Sequence, residues 1–428
     1  MHEEWDMSGY SVCCKRFFFA VIATLSMFRI PHADAAPLTL ERAQAMLIRR
    51  NPTLAALGQD VIALRHQAIA AAQLPDPEFS VMAQNVPTNS FSMRQQSMTM
   101  LSFGVSQSFP PFGKRGIEGQ QGAMEAQALA YGRSARSAQL IYFLRRIWLQ
   151  ALYAGRALKI LDAQRLLAEQ SVATAMARYR AAGVPEADVL RARLAREGLA
   201  NAQAEAQANQ SELLARLARI LNLPEVPALA PGWPRIPMPP QLSVLERHIA
   251  EQPMVREAEA RRQVARLGVR AARRDFYPRF TVSASYGQSF VPQTPDWVTV
   301  GVGVSMPVFT ANRQDQRLDA AEARALKAGY RVQDRRLALE RQARSAYARY
   351  VSLGNELQRT RERLAPDAQA ALAATLAAYT AGRANIGDVL RAQRAVLKYS
   401  LQGLQYRRDL AVVEAQLDYL ATRSETRP

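Results

Sequence analysis

Cysteine is almost missing from this sequence: of 428 residues only the neighbours Cys13 and Cys14 are cysteine. Adjacent cysteines cannot staple a fold, so a disulfide-built scaffold is excluded. Histidine is scarce as well, with four residues in all. His66 and His248 stand alone without ligand spacing and read as helix-surface residues, so no metal site is expected. No segment offers the ~20 uninterrupted apolar residues of a spanning helix, so any membrane crossing must be made by strands. Acidic residues are in deficit, 37 against 55 basic ones, for a net charge of +18. The arginines are nevertheless dispersed among Glu and Gln and form no compact basic cluster interleaved with aromatics, which argues against nucleic-acid binding. No G-x-S-x-G, Walker loop, G-x-G-x-x-G or H-E-x-x-H is present, so neither an enzyme nor a cofactor is expected.

What is present begins with a leader. Lys15 and Arg16 precede the 12-residue apolar run Phe17 to Phe28, followed by Pro31 and Ala33-Asp34-Ala35-Ala36. A charged segment, a short apolar segment and an A-x-A site form the pattern of a cleaved secretory signal over residues 1–36. Cleavage removes three basic and four acidic residues, both cysteines and two histidines, leaving a net charge of +19. The 49% of apolar residues excludes global disorder. A cysteine-free exported chain must be stabilised by packing or oligomerisation.

The chain repeats itself. Asn51-Pro52 matches Gln252-Pro253, and at the same offset Pro77, Phe79 and Val81 fall on Pro278, Phe280 and Val282. One residue off that offset, Tyr179 and Asp188-Val189-Leu190-Arg191-Ala192 fall on Tyr379 and Asp388-Val389-Leu390-Arg391-Ala392. These matches imply a tandem duplication, with copies over residues 37–221 and 242–422, a connector at 222–241 and a tail at 423–428. The connector holds seven prolines and cannot be helical.

Each copy has one order of elements. A helix comes first, Leu40 to about Gln73 and Leu242 to about Arg274. Two strands follow, at about 78–85 and 99–109, then at about 279–290 and 298–309. Val298, Val300, Val302 and Val304 alternate with Thr299, Gly301, Gly303 and Ser305, and Leu101, Phe103 and Val105 alternate with Ser102, Gly104 and Ser106. Period two with one apolar and one small polar face marks strands that separate two environments, and a soluble sandwich would show the same alternation. Met93, Met98 and Met100 read as loop and strand contacts. Long helical hairpins close each copy, 114–221 and 313–420. Lys114 to Ala181 has no proline, and Arg313 to Ala381 has only Pro366. Sixty-eight helical residues would reach about 100 Å. Four strands cannot close a barrel and open edges cannot exist in lipid, so a membrane-spanning form requires several chains, three or more for a pore.

Helix, strand pair, long helix, tight turn and return helix, given twice, resemble the TolC family of outer-membrane efflux channels. Both Tyr…Asp-Val-Leu-Arg-Ala repeats carry the likeness, with the corners Phe109-Pro110-Pro111-Phe112-Gly113-Lys114-Arg115 and Met306-Pro307-Val308-Phe309. The first corner is similar to the heavy-metal branch of the Czc and Cus type. The resemblance implies a mainly α tandem-repeat fold with a small β part. It also implies a homotrimer with a 12-stranded transmembrane β-barrel in the outer membrane and a periplasmic helical barrel. Its implied partners are a periplasmic adaptor, an inner-membrane pump and outer-membrane lipid, and its implied role is passive efflux, of heavy-metal cations in that branch. The alternatives are a duct for drugs or type I secretion, or a periplasmic coiled-coil adaptor without a pore.

The resemblance also places the turns 181–188 and 381–388 at the periplasmic tip. There Tyr179, Gly183, Asp188, Tyr379, Gly382, Arg383 and Asp388 are gate candidates, since threefold-repeated aspartates would form rings that attract cations. An acidic residue in a helix's first turn also offsets the dipole, which is the competing reading of Asp188 and Asp388. Gly183 and Gly382 lie one residue out of register, so the two turns need not superimpose.

Overall fold

The structure, a computed structural model, describes residues 37–423. The leader expected at 1–36 and the tail beyond Arg423 lie outside the described residues. The elements are α1 (Leu40–Arg50), α2 (Pro52–Ala71), β1 (Glu78–Gln84), β2 (Met100–Phe109), α3 (Lys114–Arg180) and α4 (Glu186–Leu221). After the connector come α5 (Leu242–His248), a 3-10 turn (Ile249–Glu251), α6 (Pro253–Arg274), β3 (Arg279–Ser289) and β4 (Trp297–Ser305). The chain ends with α7 (Gln314–Arg359), a π-helical segment (Thr360–Leu364), α8 (Ala365–Thr380) and α9 (Ile386–Ala421).

The first helix of each copy is broken where one continuous helix was expected. Proline disfavours helical backbone in the residue before it. Asn51 is accordingly extended, at φ −74° and ψ 115°, and its side chain caps α2 by accepting from the Leu54 amide at 3.1 Å. Gln252 does the same before Pro253, accepting from the Met254 amide at 2.8 Å. The second long helix is also interrupted. Pro366 has no N–H to bond back to residue 362, and a π-helical segment precedes it; α3, without proline, runs unbroken for 67 residues. Pro185 is the N-cap residue of α4.

The four strands form one antiparallel sheet in the order β1-β2-β3-β4. Its register sorts side chains by face. Val81, Phe103, Tyr286 and Val298 form one row across the sheet, and Phe79, Val105, Ala284 and Val300 the next. The opposite face carries Ser80, Gly104, Ser285 and Thr299, then Glu78, Ser106, Ser283 and Gly301. Among the described residues nothing covers the apolar face: Val298 is 73% exposed and Val300 71%.

The helices form a layer one helix thick. Near the sheet α3 lies between α2 and α6, and α6 packs on α7; farther away α3 lies between α4 and α9, and α9 packs on α7 and α8. Two equivalent cores sit midway. In the first, Leu47, Leu144, Trp148 and Leu217 are buried together; in the second, Leu245, Leu339, Leu353 and Leu417. The copies are joined by Tyr142 stacked on Tyr419 at 5.6 Å and by the Arg145–Asp418 ion pair. Where α2 meets α3 the backbones approach closely: a Cβ at Gly122 would lie 2.8 Å from that of Ala68.

Candidate functional site

The end of the layer farthest from the sheet consists of two short turns, α3 to α4 and α8 to α9. Both long helices stop in the same way. In the first, the Ala182 amide donates to the Tyr179 carbonyl at 2.9 Å and the Gly183 amide to the Arg178 carbonyl at 2.9 Å. In the second, Gly382 donates to Tyr379 at 3.1 Å and Arg383 to Ala378 at 2.8 Å. This double bond pattern is a Schellman motif, which requires a left-handed residue at its first position. Gly382 fills it at φ 75° and Ala182 at φ 54°. The turns therefore match residue for residue, although their glycines are out of register. Gly183 is equivalent to Arg383, and the left-handed position of copy one is held by alanine.

The return helices begin differently. Asn385 caps α9 in a reciprocal box: its side chain accepts from the Asp388 amide at 3.0 Å, and Asp388 Oδ2 accepts from the Asn385 amide at 3.2 Å. The other carboxylate oxygen of Asp388 pairs with Arg391. At α4 the cap is Pro185, which offers no side-chain oxygen, and Asp188 pairs with Arg191 at 2.9 Å. Asp188 is only 5% exposed. Both aspartates thus serve local helix starts, as the dipole reading requires.

The tyrosines part company as well. Tyr379 is buried with Ile386, Val389 and Leu390, and Ala195 of α4 packs on that cluster. Arg178 of α3 lies over its ring at 4.1 Å and donates to the Thr380 carbonyl at 3.3 Å, so it bridges the two turns. Tyr179 is exposed, and position 378, equivalent to Arg178, is alanine. Slightly farther up, Gln393 of α9 donates to Ser171 Oγ of α3 at 3.0 Å. Gly183, Gly382 and Arg383 are all exposed at the apex.

The structure thus brings Tyr379 and the second turn against α3, engages Asp388 at its own helix start, and leaves Tyr179 exposed. Sequence reasoning missed Arg178, Asn385 and Ala182. Asn385 was findable, because Asn followed three residues later by an acidic residue is a capping-box signature. Arg178 was not, because its partner lies about 200 residues away. His248 is occupied structurally, with Nδ1 2.8 Å from the Val244 carbonyl and Nε2 2.6 Å from Arg423. Among the described residues there is no group of three or more His, Cys, Asp or Glu that could hold a metal.

Residues 244–422, covering nearly all of the second copy, match the family model "Outer membrane efflux protein". That match ties the second copy to the outer-membrane efflux proteins. The chain is 26% identical over 382 residues to the cobalt-zinc-cadmium resistance protein CzcC of Cupriavidus metallidurans, covering 87% of each chain. Its fold is that of CusC, with a TM-score of 0.75 at 18% identity over 90% of this chain and 92% of that one. The outer membrane protein VceC of Vibrio cholerae gives a TM-score of 0.76 at 18% identity, with 90% and 97% covered. The MtrE outer membrane channel of Neisseria gonorrhoeae, in its open state, gives 0.73 at 19%, with 89% and 88% covered. In an efflux protein of this fold the sheet lies in the outer membrane and the helical layer extends into the periplasm.

Proposed function

We propose that this chain is an outer-membrane efflux protein that works as a homotrimeric duct, three sheets closing a 12-stranded barrel and three helical layers closing a periplasmic tube. The observation that carries this reading is the sheet itself. Among the described residues strands β1 and β4 are unpaired on their outer sides, and an unpaired edge cannot stand in lipid. Its uncovered valines suit a lipid-facing band, and the Ser, Thr and Gly face suits an aqueous lumen. Exposed leucines on α4 support the same assembly. Leu390 is buried between the copies, whereas its duplicate Leu190 is 49% exposed and Leu194 is 72% exposed. Repeating the relation of copy one to copy two around a ring would bury these leucines against the next protomer. The mass of the purified assembly in detergent tests this: three protomers support the duct, and a stable monomer refutes it.

The partners that fit such a tube are a periplasmic adaptor and an inner-membrane pump, and heavy-metal cations are the favoured cargo because of the likeness to the cobalt-zinc-cadmium resistance protein. No catalytic step is assigned to any residue. Cargo would pass through a wide, charge-poor barrel, so selection would rest with the pump and restriction with the tip. Tyr179, Gly183, Asp188, Tyr379, Gly382, Arg383 and Asp388 are proposed to frame that restriction. Arg178 would tie the two turns of one chain together, leaving the seams between chains to part. Deleting the gene and measuring tolerance to cobalt, zinc and cadmium tests the cargo; unchanged tolerance to all three would remove it.

A further inference from the structure

One groove outside the tip has a chemistry that the duct reading does not use. It lies where the π-helical segment bulges beside α9, has a volume of ≈ 530 Å³, and is floored by Ile160, Leu357 and Leu404. Its rim is basic. Trp233 of the proline-rich connector is flanked by Arg156 of α3, 4.7 Å from its ring centroid, and by Arg407 of α9, at 6.0 Å. Arg361 of the π segment stands on the same rim with Tyr399. Among the described residues none of these three arginines has a carboxylate within ion-pair distance. Two acidic side chains of the same elements are otherwise engaged. Glu362 accepts from Gln358 at 3.2 Å, and Glu414 is half-buried, its carboxyl raised by burial although Arg407 pulls it down. Burial, and after it the neighbouring charge of Arg407, hold the Arg156 guanidinium below its ordinary value.

We propose that this groove is the docking site for an acidic, amphipathic segment of a periplasmic partner protein. Charge complementarity selects the carboxylates, because guanidinium forks bind them bidentately and at short range. The apolar floor selects a segment with leucine-like anchors among its acidic residues. A glycan strand fits less well, since two guanidinia already occupy the indole that would stack on a sugar. The groove faces outward in the tube. Twelve helices spaced ~10 Å apart give a ring about 38 Å across its axes, and three connectors placed inside it would fill the bore. It also occurs once per chain, since residues 160–164, the equivalent stretch of copy one, continue as regular α3. The proposal goes beyond the efflux reading and takes from it only the tube geometry.

The test uses the purified full-length assembly and two fluorescein-labelled 16-residue peptides with one leucine frame, the first filled with Glu and the second with Gln. Expected are at least about tenfold tighter binding of the Glu peptide, equivalent to ~1.4 kcal/mol, loss of that preference in Arg361→Glu/Arg407→Glu, and one site per chain. Equal binding of both peptides, binding insensitive to the double charge reversal, or two sites per chain would overturn it. So would displacement by soluble peptidoglycan fragments with no peptide preference. Single-channel conductance, measured on both proteins, separates the proposals: the double variant should conduct as the parent does.

Discussion

Placing one arginine on either face of β4 tests the assignment of lipid and lumen at adjacent residues. Val300 and Thr299 are neighbours near the middle of the nine-residue strand, and their side chains point to opposite faces. Val300 is in a row with Phe79, Val105 and Ala284; Thr299 is in a row with Ser80, Gly104 and Ser285. An arginine facing lipid at mid-membrane costs about 2–4 kcal/mol, so Val300→Arg should lower each subunit's folding equilibrium about thirty- to several-hundredfold. In a trimer the penalty is repeated three times. Thr299→Arg would place the charge in water and leave folding close to the parent's. Refolding into liposomes across a urea series, read by the mobility of the folded band on unheated gels, measures both. Normal folding of Val300→Arg together with collapse of Thr299→Arg would reverse the faces and refute the barrel described above.

Other changes address the periplasmic end. Gly382→Ala forces a β-carbon into a left-handed turn and should cost about 1–2 kcal/mol, whereas Ala182→Gly should relieve a comparable strain in copy one. Hydrogen exchange of the two turns checks the opposite signs, and equal signs would dismiss the matched Schellman motifs. Asp388→Ala removes one half of the capping box, worth ~1 kcal/mol, and by the gate proposal should also raise conductance or alter cation block. Unchanged conductance and block would leave Asp388 with the cap alone. Burial raises the Glu414 carboxyl above its usual 4.5. Its protonation therefore favours the folded state, fully so below the unfolded value, and that gain is lost as pH rises through the folded value. Thermal midpoints of Glu414→Gln should lack this gain on acidification, and a pH slope identical to the parent's would count against the burial argument.

The β part was the most legible in the sequence, because strict alternation such as Val298 to Ser305 permits one structure and one pair of faces. The long helices were visible through their lack of proline. Boundaries were lost where a cap decided them: Asn51 and Gln252 look like helix residues until the following proline forces them extended. The π segment was hidden because Pro366 alone does not say whether a helix will end, kink or bulge. At the tip, glycine spacing misled. Position 182 adopts the left-handed conformation despite being alanine, since the helix ending as a whole holds it there. Asp188 and Asp388 read alike in sequence, yet a proline cap buries one beside Arg191 and an asparagine cap engages the other. Contacts between the copies, Arg178 on Tyr379 or Gln393 on Ser171, join residues about 200 apart and leave no local pattern.

Single-channel recording in planar bilayers tests the central claim most directly, using the purified assembly whose mass has been determined. The duct account predicts discrete conductance steps from a particle of three protomers, with weak charge selectivity from the Ser, Thr and Gly lumen. A folded protein that is monomeric without detergent and inserts no channels would contradict it.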